Sequence, residues 1–207
     1  IPVFGGGVMY DWLLSSLRAE YELVRMMKES PPGQRLHLRH RSTGRDFVLR
    51  HFTGSAEVYE KLLRCSCRNL PAILEVASRG NEHLTLEEFV QGDTLDFLLR
   101  EALFTAEETR RIIRQVCQGL WVLHTLSAVH RDSKPENIIL RGSEAVLIDV
   151  DAARLHKPQL AADTQVLGTT GFAAQEQYGL SQTDVRSDIY SLGILINVMR
   201  TGDHPSR

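Results

Sequence analysis

The polar stretch His130-Arg131-Asp132-Ser133-Lys134-Pro135-Glu136-Asn137 is followed at once by two short apolar runs that are separated by a turn. These runs predict a small hairpin, and the pattern ahead of the polar stretch predicts a long helix. Because the stretch lies between a helix and a hairpin, we expect Asp132, Lys134 and Asn137 to lie on one rim. Asp149, near the end of the second apolar run, is expected on the same rim.

The side chains on this rim indicate one type of chemistry. Carboxylate and amide oxygens are hard ligands that suit Mg²⁺, and a carboxylate can also accept a hydrogen bond from a substrate hydroxyl. A lysine among them can offset the charge of a phosphate group. This combination fits phosphoryl transfer, in which catalysis is mostly positioning and electrostatic stabilisation.

The chain differs in character on either side of residue 90. Short strand-like segments alternate with turns over residues 21–89, whereas helical patterns dominate from Thr94 onward. Thr105 and Glu108 have the spacing of a capping box, which predicts the start of the long helix. The chain is therefore predicted to be an α+β protein with two lobes and a cleft between them.

The polar stretch resembles the catalytic loop of eukaryotic-type Ser/Thr protein kinases, HRDxKxxN. Three more segments resemble motifs of this family and occur in the family's order. Residues 87–92 resemble the hinge, residues 168–177 the substrate-facing segment, and residues 184–193 the start of the helix that anchors the large lobe. The likeness covers roughly residues 21–203, and its substrate-facing segment has the style of bacterial members.

This resemblance implies a protein kinase-like fold with a small β-rich N-lobe and a helical C-lobe. It implies an N-terminal extension over residues 1–20, an N-lobe over residues 21–88 and a partial C-lobe over residues 89–207. The family's large lobe continues with several more helices, so the C-lobe is expected to be truncated after its first anchoring helix.

The resemblance also implies roles for the residues on the rim. Asp132 would orient the substrate hydroxyl and accept its proton, and Lys134 would stabilise the phosphoryl group in transfer. Thr169 resembles the threonine that supports this lysine. Asn137 and Asp149 would hold Mg²⁺.

The implied ATP-binding residues depart from the family's pattern. Backbone groups of Glu88 and Val90 would contact adenine, but the phosphate loop keeps a single glycine, Gly33. Arg50 stands where the family has its ATP-anchoring lysine, and Glu60 is its expected partner. Arginine is not equivalent to lysine, so this pair could anchor ATP or be purely structural; both interpretations stay open.

Other positions carry over with substitutions. Asp149 is followed by valine and Asp151 where the family has Phe-Gly. Asp188 resembles the buried acid that braces the catalytic loop, and Thr164 and Thr170 are candidate acceptors of an activating phosphate. Glu176 ends Ala-Gln-Glu in place of the family's Ala-Pro-Glu.

Three functions are consistent with these motifs and substitutions. The leading prediction is a protein kinase that uses ATP and Mg²⁺ to phosphorylate Ser or Thr hydroxyls of a protein substrate. The second is a pseudokinase, a binding or scaffolding module with weak or no catalysis, which Arg50 and the depleted glycine loop favour. A small-molecule phosphotransferase is third, because such enzymes usually lack a segment like residues 168–177.

Composition excludes other classes of protein. Lys and Arg number 24 against 26 Asp and Glu, and a formal charge of −2 does not favour a nucleic-acid binder that works by bulk charge. No apolar run approaches the roughly 18 residues that cross a bilayer, and no signal peptide is expected. Three cysteines, an odd number, do not favour a disulfide framework, so a reducing, cytoplasmic location is predicted. Cys65 and Cys67 have no second pair at zinc spacing, so no metal site is expected there. The sequence leaves open whether the chain is a monomer or a dimer.

Overall fold

The computed structural model of the chain describes residues 6–30, 33–156, 169–178 and 183–205. They belong to two compact units: the first takes in residues up to 66 and residues 71–89, and the second takes in residues 67–70 and those from 90 onward. The first unit is rich in strands and the second in helices, which confirms the predicted α+β class. No helix in the described ranges has both the length and the apolar character needed to cross a membrane.

The first unit contains a five-stranded antiparallel sheet. Its elements are α1 (Gly6–Glu20), β1 (Tyr21–Ser30), β2 (Gly33–His40), β3 (Asp46–Thr53), α2 (Glu57–Leu62), β4 (Ile73–Arg79) and β5 (Glu82–Glu88). The strands lie in the order β1-β2-β3-β5-β4, so β3 is central and its residues can be covered on both faces.

The core of the first unit forms between α1 and one face of this sheet. Leu13 and Leu17 of α1, which are four residues apart on one side of the helix, are 3% and 6% exposed. They belong to a buried cluster with strand residues Leu38, Phe47, Leu49, Ala77, Leu84 and Leu86. Since side chains alternate along a strand, Leu49 faces α1 and Arg50 faces the other side of the sheet.

The second unit is built around two long helices. Its elements are β6 (Asp93–Thr94), α3 (Leu95–Leu99), α4 (Ala106–Thr125), β7 (Ala128–Val129), β8 (Ile138–Arg141), β9 (Glu144–Leu147), β10 (Arg154–Leu155) and α5 (Val185–Thr201). Strands β8 and β9 form the predicted hairpin, to which β6 adds a third strand. Single 3₁₀ turns occur at Pro135–Asn137, Val150–Ala152 and Gln175–Tyr178.

Both long helices begin at side-chain caps. The predicted capping box of α4 is confirmed: Thr105 Oγ1 accepts from the Glu108 N–H at 3.2 Å, and Glu108 Oε2 accepts from the Thr105 N–H at 2.8 Å. Asp184 caps α5 by accepting from the Arg186 N–H at 2.8 Å. Hydrogen bonds from Arg186 also hold the pKa of Asp184 below its usual value.

A short segment from within the first half of the chain completes the second unit. Residues 67–70 belong to it, and Asn69 Nδ2 donates to the Ala145 carbonyl oxygen at 2.8 Å. The Leu147 N–H donates in return to the Asn69 carbonyl oxygen at 2.9 Å. On the other side, a Cβ atom at Gly119 of α4 would lie only 2.9 Å from that carbonyl oxygen, so glycine permits the close approach.

Candidate active site

The loop that carries the polar stretch follows β7 and is held by one buried carboxylate. Asp188 of α5 is fully buried, and its Oδ2 and Oδ1 accept from the backbone N–H groups of His130 and Arg131 at 3.0 and 2.8 Å. Asp188 Oδ2 also lies 2.8 Å from His124 Nε2. This confirms the prediction that Asp188 braces the loop, at a point where Arg131 has a left-handed φ of 72°.

The four residues predicted to be catalytic form one network in which the other three all contact Asp132. Thr169 Oγ1 donates to Asp132 Oδ1 at 2.7 Å and accepts from Lys134 Nζ at 2.7 Å. Lys134 Nζ also lies 3.1 Å from Asp132 Oδ2, and the Asn137 amide donates to that same oxygen at 2.9 Å. The Asp132 carboxylate is thus the centre of a network that involves both of its oxygens.

This network is partly open to solvent. The side chains of Asp132 and Lys134 are 18% and 21% exposed, whereas Asn137 is buried at the foot of the loop. A hydroxyl group from outside could therefore reach the acid while the amide keeps the acid in place. Asn137 Nδ2 secures this arrangement by donating a second hydrogen bond, at 2.8 Å, to the Asp132 carbonyl oxygen.

Asp149 follows the β8–β9 hairpin, and a backbone hydrogen bond joins the residue before it to Asn137. The Ile148 N–H donates to the Asn137 carbonyl oxygen at 2.8 Å. Asp149 itself has a left-handed φ of 69°, an uncommon conformation for a residue other than glycine. The described residues contain no cluster of three or more His, Cys, Asp or Glu side chains arranged for a metal. The predicted site differs from such a cluster because it combines one carboxylate with one amide.

The segment after Thr169 is tied to the loop and to α5 by side-chain hydrogen bonds that the resemblance does not imply. Gln177 is fully buried; its Nε2 donates to the Arg131 carbonyl oxygen at 2.7 Å, and its Oε1 accepts from the Ala174 N–H at 3.1 Å. Ser187 Oγ donates to Glu176 Oε1 at 2.7 Å. A glutamine in a polar sequence context gives no signal of such a role, because only the fold brings it to the loop.

Of the residues predicted to bind ATP, four lie in the first unit and Val90 lies in the second. Gly33 begins β2, where a Cβ atom would lie 2.3 Å from the His51 carbonyl oxygen, so strand packing alone demands glycine there. The Glu88 N–H donates to the Ala72 carbonyl oxygen at 2.9 Å. Thr164, one candidate phosphate acceptor, and Gly168 fall outside the described residues.

The expected pairing of Arg50 with Glu60 is corrected by the structure. Arg50 Nε lies 2.5 Å from Glu87 Oε1, and both side chains are buried. Glu60 is exposed on the short helix α2. The reason is the strand register, because β5 runs beside β3 and brings Glu87 within reach of Arg50.

Comparison with known proteins gives a consistent set of similarities. A family model of the protein kinase domain matches residues 53–207. Serine/threonine-protein kinase pkn2 of Myxococcus xanthus is 32% identical over 164 residues, which cover 73% of this chain and 20% of that protein. Serine/threonine-protein kinase PknL of Mycobacterium tuberculosis is 30% identical over 145 residues, covering 69% of this chain and 36% of that protein.

A cyanobacterial protein is similar to the same extent. Serine/threonine-protein kinase D of Synechocystis sp. is 30% identical over 163 residues, which cover 75% of this chain and 31% of that protein. The matched region therefore spans between 20% and 36% of the length of these three relatives.

Proposed function

Because the chain belongs to the protein kinase domain family, we propose that it transfers the terminal phosphoryl group of ATP to Ser and Thr hydroxyls of a protein substrate. The observation that carries this proposal is the network around Asp132. In it a lysine, a hydroxyl and an amide each lie within 3.1 Å of the Asp132 carboxylate, and the acid and the lysine are partly exposed.

The network supports a division of roles. Asp132 would accept a hydrogen bond from the substrate hydroxyl and then take up its proton as the oxygen attacks phosphorus. Lys134 would stabilise the negative charge on the transferred group. Thr169, which bonds to both, is a positioning residue that keeps the lysine beside the acid.

Asn137 and Asp149 are the residues that we propose for Mg²⁺. An amide oxygen and a carboxylate suit a hard cation that takes few protein ligands and otherwise binds water and phosphate oxygens. The Asn137 nitrogen is bonded to Asp132, so its amide oxygen is the atom that a cation would use. When bound, the metal ion neutralises charge on the phosphates.

The nucleotide-binding role is assigned to the residues that the family resemblance selects. We assign adenine to the backbones of Glu88 and Val90; the Glu88 N–H donates to the Ala72 carbonyl oxygen. Arg50, Glu60 and Gly33 keep the phosphate-side assignment that the resemblance implies, although Glu87 rather than Glu60 pairs with Arg50.

The boundaries of the lobes follow from this assignment. We take residues 21–88 as the small lobe and residues 89–207 as the large lobe, and the division of the structure after Phe89 supports this boundary. Cys65, Cys67 and Cys117 are free thiols, which supports a reducing, cytoplasmic setting.

The direct test is transfer of radiolabelled phosphate from ATP in the presence of Mg²⁺ to a generic Ser/Thr-containing substrate protein. Asp132→Asn should abolish transfer and leave the Kd for MgATP nearly unchanged, since its role belongs to the transfer step. Asp96→Asn is the matched control, because Asp96 forms an exposed ion pair with Arg100 and should retain full activity. If the unmodified protein binds the nucleotide but transfers no phosphate, the proposal of an enzyme is refuted and the alternative of a binding module is supported.

A further inference from the structure

An ion pair is buried in the sheet of the first unit, between Arg50 on β3 and Glu87 on β5. Arg50 Nε lies 2.5 Å from Glu87 Oε1, and the two side chains are 5% and 4% exposed. Thr85 Oγ1 donates to the same carboxylate oxygen at 3.0 Å. The Glu87 carboxylate is therefore held from two sides, by a cation and by a hydroxyl.

The register of the sheet produces this pair. Strands β3 and β5 are antiparallel, and Arg50 lies opposite Thr85. Glu87 is two residues farther along β5, so its side chain emerges on the same face as that of Arg50, at a diagonal distance that long side chains can bridge. Leu49 and Leu86 occupy the opposite face, in the core beneath α1.

The same face of β3 also carries the contact with α2. The ring of Phe52 lies 5.2 Å from that of Tyr59 on this helix. Glu60, the next residue of α2, is exposed. The fold thus supplies Arg50 with a buried carboxylate from a neighbouring strand, and this partner is fixed by backbone pairing rather than by the position of a helix.

We infer that Glu87 competes with the phosphates of a nucleotide for the guanidinium group of Arg50, and so limits how much the phosphates add to nucleotide affinity. This rests on the proposed function, in which Arg50 stands on the phosphate side. A guanidinium group binds carboxylate and phosphate through the same planar set of N–H donors. Glu87 Oε1 lies beside the Nε edge of Arg50 as an ion-pair partner, so a phosphate that binds at this edge must displace the carboxylate.

Charge supports the same conclusion. Arg50 and Glu87 together carry no net charge, and a buried neutral pair attracts a polyphosphate far less than an isolated cation does. If the negative charge at position 87 is removed while the shape of the side chain is kept, Arg50 should attract the phosphates of the nucleotide more strongly. Glutamine at position 87 achieves this, because its amide oxygen can still accept from Thr85.

The experiment compares the affinities of MgATP and adenosine for the 207-residue chain by isothermal titration calorimetry. Glu87→Gln should tighten the binding of MgATP by about tenfold or more, equivalent to about 1.4 kcal/mol, and should change the Kd of adenosine by less than about twofold. The double variant Glu87→Gln/Arg50→Gln should lose this gain. Glu82→Gln is the matched control: it lies on the same strand but in an exposed pair with Arg79, and should change neither affinity.

Each outcome has a distinct meaning. Unchanged or weaker binding of MgATP to Glu87→Gln overturns the inference and leaves the proposed function intact. Failure of the unmodified chain to bind either MgATP or adenosine refutes the proposed function and the inference together.

A second measurement covers the case in which Glu87→Gln does not fold. The Nε–H signal of Arg50 in the ¹⁵N NMR spectrum of the unmodified chain can be assigned by its loss in Arg50→Lys. Competition predicts that this signal moves on addition of MgATP but stays in place on addition of adenosine. A signal that stays in place at saturating MgATP overturns the inference.

Discussion

Substitution of Asp188 by asparagine tests how the loop after β7 is held. In the structure, Asp188 Oδ1 accepts from the Arg131 N–H, and Oδ2 accepts from the His130 N–H and pairs with His124 Nε2. Asparagine replaces one of these oxygens by an NH₂ group, which donates and cannot accept. His124 can adapt, because either ring nitrogen can carry the proton. A backbone N–H cannot adapt in this way.

The size of the effect follows from this count of donors. Whichever way the new amide turns, one buried backbone N–H of the loop loses its acceptor. A buried N–H left without an acceptor lowers stability by about 1–3 kcal/mol, and each lost hydrogen bond to a charged acceptor removes about 1.5–3 kcal/mol. We therefore expect Asp188→Asn to lower the free energy of unfolding by about 2–4 kcal/mol. Asp188→Ala leaves both amides without an acceptor and should lower it further.

The assay is urea unfolding followed by circular dichroism, with the rate of phosphoryl transfer measured in parallel. The rate of phosphoryl transfer should fall together with the free energy of unfolding, because Asp132 belongs to the same loop. Asp184→Asn is the matched control on α5, since asparagine caps a helix as well as aspartate does and the change should stay below about 1 kcal/mol. A loss of less than about 0.5 kcal/mol in Asp188→Asn would refute the reasoning, because the loop would then not depend on the carboxylate.

Three other substitutions have definite expected outcomes. Thr169→Val removes the hydroxyl that bridges the loop acid and lysine, so the transfer rate should fall by about tenfold or more while Thr169→Ser retains it; equal rates in both variants would contradict the bridging role. Burial raises the pKa of Glu75, so its ionised form disfavours folding. Glu75→Gln should therefore raise Tm at pH 7, and the gain should vanish as the pH falls below about 4.3, the ordinary pKa of glutamate. Leu13→Ala should lower the free energy of unfolding by about 2–5 kcal/mol, whereas Leu23→Ala, at a position 60% exposed, should change it little; similar losses in urea unfolding would contradict the packing of α1.

The fold was predictable where the sequence pattern is local. The capping box of α4 and the β8–β9 hairpin depend on residues a few positions apart, and both occur as expected. Residues 11–17 have the pattern of a short amphipathic helix and the preceding glycines predict a break, but α1 begins at Gly6. Packing of Leu13 and Leu17 into the sheet stabilises the helix despite the low helical propensity of glycine.

The sequence has a helical character from Thr94 onward, but it does not delimit helix α3 because this helix is short. It spans Leu95–Leu99, and its main signal is Thr94, whose side chain accepts from the Phe97 N–H at 3.2 Å. A single capping threonine before five residues cannot be distinguished from a turn without the surrounding structure.

The contacts of the candidate site are also predictable where they lie within one motif and unpredictable where they depend on the fold. The residues of the loop occur together because one continuous motif carries three of them, and Thr169 was selected by resemblance. The partner of Arg50 could not be read from the motif, because it depends on which strand lies beside β3 and in which register. Gln177 ends the segment that resembles the substrate-facing motif, but the resemblance assigns it no role, and its contact with the loop spans 46 positions.

Residues 67–70, which complete the second unit, affect both folding during synthesis and the choice of expression fragments. Asn69 bonds to a carbonyl group 76 positions later, so at about 5–20 residues per second a ribosome needs roughly 4–15 seconds to supply its partner. During that time the strands of the first unit can pair, but residues 67–70 must wait. An expression fragment that starts at residue 90 would lack this segment altogether. It would leave β9 without the two hydrogen bonds that Asn69 provides, so cutting between the units at that point should yield a C-terminal piece that folds poorly.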